Sequence, residues 1–437
     1  MFSVYQHWDP LKVCAVGRTY PPEFYSGIKN PRVRNVLERI AIETEEDYQK
    51  LIAKLEEFNV TVLRTDLSEN PEDYHTNGVL NVPPPMTPRD HTAMVGNTFY
   101  MPGDAYGDNL RWIEDEDLAK KIEDYLEPDN KVSPKESLIR MKERIKLGSK
   151  NIYRMDVGDK KLSLKPYNNR NSILIQEIIS SETKTIGSNF KFPNNKAFDS
   201  FTTIRKFLQN NNVPIKYDTY INTAVMTRVG KDLYFTTTNI IDDLNRDTLK
   251  KKYDEMFPEY RVHLLKIGGH IDAAFCPVVP NLIISIDHIQ TYNDTFPDWE
   301  VIHLKGESWS KVRKWMKLKK KNHGKWWIPG EEDNDDLTYY VETWLKDWVT
   351  YVEETVFDVN MLVIDQNNVI VNNYNKKAFD AFERYNVTPH IINFRHRYFW
   401  DGGIHCITSD IAREGKCNNY FEKHKKNPAF YTGFLKK

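Results

Sequence analysis

The sequence predicts an α/β fold assembled from repeated helix–strand units, and three observations carry that prediction. Amphipathic helices are followed almost at once by short β-branched strands. Strand pairs alternate with single helices along the whole length. No exact sequence period accompanies the pattern, so the repeat is one of structure.

Taken in order, the first strand is Val13–Val16. Thr44 reads as an N-cap with Asp47 in the first turn, opening a helix whose apolar stripe is Tyr48, Leu51, Ile52, Leu55 and Phe58. The strand Val60–Leu63 follows directly. Phe99–Met101 is the next strand, and Phe201, Ile204, Phe207 and Leu208 mark a helix ahead of Ile215–Tyr217. Leu233–Thr236 precedes a third helix, Leu244 to Phe257, which leads into Val262–Leu265. Leu282–Ile286 and Val301–Leu304 are strands, and Met361–Ile364 with Val369–Val371 form a hairpin turning through Gln366, Asn367 and Asn368. A fourth helix carries Phe379 and Phe382, and Ile391–Phe394 is the strand expected after it. No GxGxxG follows a strand and no GxxxxGK[ST] occurs, which removes the usual mononucleotide signatures. Two polar stretches read as insertions in a single domain spanning 1–437. One is 131–195; the other, 305–350, interleaves Lys311–Lys325 with Trp315, Trp326 and Trp327 and ends on an acidic run.

The chain has 437 residues, with 61 Lys and Arg against 62 Asp and Glu, a net charge of −1. That balance argues against a phosphate-neutralising surface as the default, leaving only the Lys/Trp stretch as a local nucleic-acid candidate beside the reading of a solvated lid. Hydrophobic residues make up 40%, enough for a large core and too many for a disordered polyelectrolyte. Cys14, Cys276, Cys406 and Cys417 are too scattered for a disulfide framework or a metal site. They read as reduced thiols, and with no apolar signal segment at the start and no apolar run of membrane-spanning length, a cytoplasmic protein is expected.

Three motifs carry chemistry. Asp401-Gly402-Gly403-Ile404-His405-Cys406 brings a lone cysteine in behind two glycines, which suits a thiol presented at a pocket and equally a buried structural one. Gly268-Gly269-His270-Ile271-Asp272 puts an imidazole and a carboxylate on one face if the segment begins a strand. Pro88-Arg89-Asp90-His91 offers a second carboxylate, which alone reads as a turn residue. Cys276 sits in a core strand and reads as packing. His405 faces away from Cys406 if its segment is extended. The aromatic run Phe394–Trp400, with Arg395, His396 and Arg397, reads as pocket lining or packing.

Together, His270 to Phe275, the stretch ending at Thr408 and the stretch ending at Asp90 resemble the amidinotransferase branch of the guanidine-modifying pentein superfamily, most nearly glycine amidinotransferase. His7 to Leu11, Val16-Gly17-Arg18 and Pro258 to His263 share the resemblance, so it runs from residue 8 to about 408. It implies a five-bladed pseudo-symmetric α/β propeller with the active site on its axis. It implies Cys406 as the nucleophile, His270 as the general acid and then base, and Asp90 and Asp272 as the grip on a guanidinium. Arg89 and His405 are further substrate-binding candidates. The expected activity is transfer of an amidino group from arginine or a related donor to an acceptor amine through an amidino-cysteine, with no cofactor and no metal. The alternatives are capture by water, giving a guanidine hydrolase, and a non-catalytic guanidine- or nucleic-acid-binding protein. Small-molecule partners are expected, and a homodimer by likeness to relatives.

Two departures from the family pattern stand out. Asn222 occupies the position of an expected catalytic acid; an amide can orient an imidazole but supplies no charge. After the His270 strand, Asn281 through Asp294 contains neither Arg nor Lys, where relatives carry an arginine for a substrate carboxylate, and His288 and Ile289 fill that neighbourhood. A donor or acceptor lacking an α-carboxylate, of the agmatine or polyamine kind, fits that gap.

Overall fold

The computed structural model describes residues 2–76, 79–80, 82–102, 112–113, 155–158, 161–164, 199–218, 221, 223–236, 249–265, 270–286, 292–304, 326–345, 348–349, 356–422 and 431–432. Asn222, His288, Ile289, Lys311–Lys325 and most of 131–195 lie outside them.

Five sheets share one topology: an antiparallel strand pair, then a helix, then a third strand parallel to the second. The second blade pairs Ala93–Val95 with Thr98–Pro102 and adds Ile215–Asp218 after the helix Thr202–Asn210. The third runs Met226–Val229, Asp232–Thr236, Arg261–Leu265, and the fourth Phe275–Val279, Leu282–Ser285, Glu300–His303. The fifth runs Leu362–Asp365, Asn368–Val371, Thr388–Ile391, with the helix Lys376–Arg384 between its last two strands. The first blade is built from both ends of the sequence. Leu11–Val16 pairs antiparallel with Thr408–Arg413 and, after the helix Pro31–Glu57, parallel with Thr61–Arg64.

A recurring joint explains why helix passes so abruptly into strand. Phe58-Asn59-Val60, Asn211-Asn212-Val213 and Tyr385-Asn386-Val387 each close a helix with an asparagine in the left-handed region, at φ 57°, 55° and 54°. The valine amide then bonds back to the helix, to Leu55, Leu208 and Phe382 respectively, and the valine is buried. This is the Schellman arrangement, in which the left-handed residue reverses the chain and the next apolar residue seals the helix end. Asn tolerates the left-handed region better than other side chains because its amide bonds locally.

The sequence expectations need correction at four places. Thr44 is not a cap: the helix begins at Pro31, Asn30 accepts from the Arg32 amide, and Thr44 Oγ1, in mid-helix, accepts from Trp400 Nε1 at 2.8 Å. The last strand of the fifth blade is Thr388–Ile391 rather than Ile391–Phe394; Pro389 is tolerated because this is an edge strand. Residues Ile271–Ala273 form a 3₁₀ turn, so His270 and Asp272 are not strand neighbours. Residues 404–407 also turn rather than run extended, so His405 does not face away from Cys406: both side chains meet the same oxygen of Asp272.

Trp326, Ile328, Leu337, Val341 and Trp348, from the stretch expected as a charged insertion, pack in one core with the helix Pro31–Glu57. Within the run Phe394–Trp400, Phe394, Phe399 and Trp400 join that core, while Arg395 binds Asp47 and Glu46 and His396 binds Glu43, so the run packs against the helix. No helix among the described residues is long and apolar enough to cross a membrane.

Candidate active site

Each blade's first strand is preceded by a short turn or one-turn helix, and these entries touch one another in a ring. Pro88–His91 contacts Thr223–Val225, which contacts Ile271–Ala273, which contacts Val356–Val359. Asn360, next along, bonds to Cys406 at the entry to Thr408–Arg413, and that strand contacts Pro88–His91 again. The ring gathers side chains that are far apart in sequence onto one axis.

Asp272, 4% exposed, is the hub. Its Oδ2 lies 2.8 Å from His405 Nδ1, 3.4 Å from Arg89 Nε and 3.5 Å from Cys406 Sγ. Burial pushes this carboxyl toward the neutral form, but Arg89 and the His405 hydrogen bond outweigh it and hold Asp272 well below the usual range. Its Oδ1 is buried without a hydrogen-bond partner. Asp90 Oδ1 is in the same condition, with His270 Nδ1 at 3.5 Å.

His270 has a side chain 45% exposed, so it can meet a substrate and exchange protons with it. Partial desolvation lowers its basicity, yet the carboxylates of Asp90, Asp272 and Asp401 prevail and raise its pKa above the ordinary histidine value. Asp401 is shifted to about 7, by burial and then by its Asp90 and Asp272 neighbours, with His270 opposing. The Cys406 thiol is held well above its usual value, first by burial and then by Asp272 and Asp90, with Arg89 opposing. At rest the sulfur is protonated, and it donates to Asp272.

Arg89 is occupied within the protein: Nη1 donates to Thr223 O at 3.1 Å and Nη2 to Met226 O at 2.8 Å, while Nε faces Asp272. His405 is also buried, and burial followed by Arg89 lowers its pKa, so it serves Asp272 as a neutral Nδ1–H donor. Cys276 is buried in the strand Phe275–Val279 with its thiol pushed up to about 12 by burial, in keeping with packing. No group of three or more His, Cys, Asp or Glu among the described residues is arranged to hold a metal ion.

The ring thus brings Cys406, His270, Asp90, Asp272, Arg89 and His405 together. Sequence reading missed two members. Asp401 was visible only as the start of its motif. Asn360, a lone asparagine ahead of a hairpin, has no signature of its own.

No family model matches the sequence. An L-arginine:L-lysine amidinotransferase from Pseudomonas savastanoi pv. phaseolicola is 23% identical over 215 residues, 48% of this chain and 49% of that protein. Mitochondrial glycine amidinotransferase from Xenopus tropicalis is 24% identical over 213 residues, 48% of this chain and 42% of that one. The chain therefore spans about half the length of the curated relatives it matches. The solved structure of an inosamine-phosphate amidinotransferase from Streptomyces griseus superposes with a TM-score of 0.50 at 16% identity, covering 96% of this chain and 99% of that one. The chain is similar to amidinotransferases over about half its length. Its five repeated sheets are the blades of the amidinotransferase fold, the pseudo-symmetric α/β propeller anticipated from the motifs.

Proposed function

We propose that this chain, read as one catalytic unit, is an amidinotransferase that moves an amidino group from arginine or a related guanidino donor to an acceptor amine. The observation that carries the reading is the Cys406 sulfur 3.5 Å from Asp272, with Asp272 Oδ1 unpartnered and Asp90 Oδ1, free of hydrogen bonds, 3.5 Å from His270 Nδ1. A guanidinium is planar and cationic, and two carboxylates can take its N–H groups and fix its carbon over a nucleophile. Its positive charge also favours the thiolate, offsetting the carboxylates that otherwise keep the thiol protonated; the proton leaves to solvent.

The Cys406 thiolate then attacks the guanidinium carbon, forming a C–S bond. The C–N bond to the donor breaks as protonated His270 gives its proton to the departing amine. Neutral His270 next takes a proton from the acceptor amine, which attacks the amidino carbon and releases the Cys406 thiolate. Arg89 and His405 hold Asp272 in place rather than touching substrate. Asn222 is assigned the task of orienting His270. The substrates are small molecules, and four free cysteines suit a reducing cytoplasm.

The test is intact-peptide mass spectrometry after incubation with guanidino-labelled arginine or agmatine. An amidino adduct on Cys406 that disappears on adding a primary amine, with labelled guanidino product, is the expected result. Loss of the adduct to water with a ureido product reassigns the chain as a guanidine hydrolase. No adduct and no product across these donors overturns the proposal.

A further inference from the structure

The Cys406 thiol has a partner that the reaction above does not use. Asn360 follows the one-turn helix Val356–Val359 and precedes the fifth blade's first strand, Leu362–Asp365. It is fully buried, at 0% exposure. Its Oδ1 accepts from two successive backbone amides, His405 N at 2.9 Å and Cys406 N at 3.2 Å, and its Nδ2 lies 2.9 Å from Cys406 Sγ. Both backbone N–H groups need an acceptor, so the amide can face only one way. Its NH₂ group must point at the sulfur.

The ring places Asn360 where the other blades place their chemistry. Asp90 stands ahead of Ala93–Val95, Asp272 ahead of Phe275–Val279 and Cys406 ahead of Thr408–Arg413. Asn360 is the fifth blade's contribution at the equivalent turn. The glycine beside it fits the same purpose: a Cβ on Gly403 would lie 2.6 Å from Asn360 Oδ1, so only glycine leaves the amide room to reach both backbone groups.

We propose that Asn360 presents Cys406 as a nucleophile, fixing the turn that carries the sulfur and donating a hydrogen bond that favours the thiolate. This rests on Cys406 being the nucleophile. Burial, Asp272 and Asp90 all oppose ionisation of the thiol, so a donor aimed at the sulfur acts where it is most needed. A lysine or arginine there would also favour the thiolate, but its charge would compete with the guanidinium for Asp90 and Asp272. A neutral amide does not. Hydrogen bonds to a charged acceptor are the stronger ones, so the contact tightens when the thiolate forms before attack and again when sulfur departs from the amidino carbon.

The experiment is the pH dependence of Cys406 alkylation by iodoacetamide in the full chain, read on the Cys406 peptide with no guanidino compound present. Asn360→Asp keeps an acceptor for the two amides but replaces the donor with an anion. Alkylation near neutral pH should fall at least tenfold, with the profile displaced to higher pH and the melting transition retained. Gly403→Ala, which pushes the amide aside, should move the profile the same way and carries the test if Asn360→Asp does not fold. An unchanged profile in whichever variant is folded overturns the proposal, since a purely structural asparagine would alter the melting temperature alone. A displaced profile in a chain that forms no amidino adduct supports the action of Asn360 on the thiol while removing the transfer reading, so the two failures are distinguishable.

Discussion

Asp410 and Asp272 are both buried carboxylates acting on His405, and they differ in how completely the chain itself satisfies them. Asp410 takes Arg228 Nη2 on Oδ1 at 2.6 Å and Arg413 Nε on Oδ2 at 2.8 Å. Those guanidinium groups are secured in turn: Arg413 donates to Asp9 O and Val363 O, and Arg228 to Met94 O. Asp272 has one oxygen engaged and one without a partner, and Asp90 Oδ1 accepts no hydrogen bond and has His270 Nδ1 at 3.5 Å. In the core both oxygens of the carboxylate are taken, which makes its cluster the finished one even though Arg228 Nε has no partner, and the axis holds an unfinished one with a surplus of negative charge. Completeness of hydrogen bonding, more than burial or charge, separates a structural ion pair from a candidate binding site.

Four measurements sharpen or break that contrast. Cys406→Ser should lower product formation by a factor on the order of 10³ or more, because an alcohol is a far weaker nucleophile at neutral pH, with the melting curve nearly unchanged. A variant that retained activity would remove the axis as the reactive centre. Asp410→Asn leaves buried guanidinium charge uncompensated and should cost about 3–5 kcal/mol in urea unfolding. Asp272→Asn should shift the balance toward function, lowering kcat/KM for guanidino donors by roughly 100-fold through lost positioning, with a smaller cost in unfolding than Asp410→Asn because Arg89 keeps its bonds to Thr223 O and Met226 O. If the two carboxamides behaved alike in both assays, the distinction between a finished and an unfinished cluster would fail.

The smallest effect concerns Asp401, whose folded value of about 7 lies above the ordinary carboxylate value of 3.8. The folded chain thus holds this proton more tightly than the unfolded one, and its contribution to stability falls as pH rises from about 4 to about 7. Asp401→Asn, which has no such titration, should gain in melting temperature relative to the parent between pH 5 and pH 8, by roughly a few degrees. Parallel melting curves across that range would show that Asp401 titrates normally.

Most of the fold was legible because blade strands are short, β-branched and buried, and their helices carry a clear apolar stripe, as in Tyr48, Leu51 and Leu55. The elements misread were those whose local signals competed. Thr44 resembles a cap, yet Asn30-Pro31 is the real start, and Pro389 hid an edge strand behind the more apolar Ile391 to Phe394. The helix–Asn–Val–strand joint is a repeat too short to register as a period, although three valines and three left-handed asparagines mark it. In the site, Cys406, His270, Asp90 and Asp272 stood out through the resemblance of their three motifs to amidinotransferases; by local pattern alone Asp90 reads as a turn residue and Cys406 equally as a structural thiol. Asn360 acts through its amide and its place in the ring, and neither is encoded by neighbouring residues. Arg89 read as a substrate contact because exposure cannot be inferred from charge; in the fold it is 7% exposed and bound to main-chain oxygens.

The antiparallel pairing of Thr408–Arg413 with Leu11–Val16 makes this strand wait for a partner that follows all four other blades along the chain. A nascent polypeptide that has emerged only as far as the fifth blade already holds Asp90, His270 and Asp272, but has no sulfur at the centre and an unfilled edge on Leu11–Val16. On the proposed reading, reactivity toward guanidino compounds would be postponed until translation has passed residue 413, and a ribosome-stalled fragment would be chemically silent.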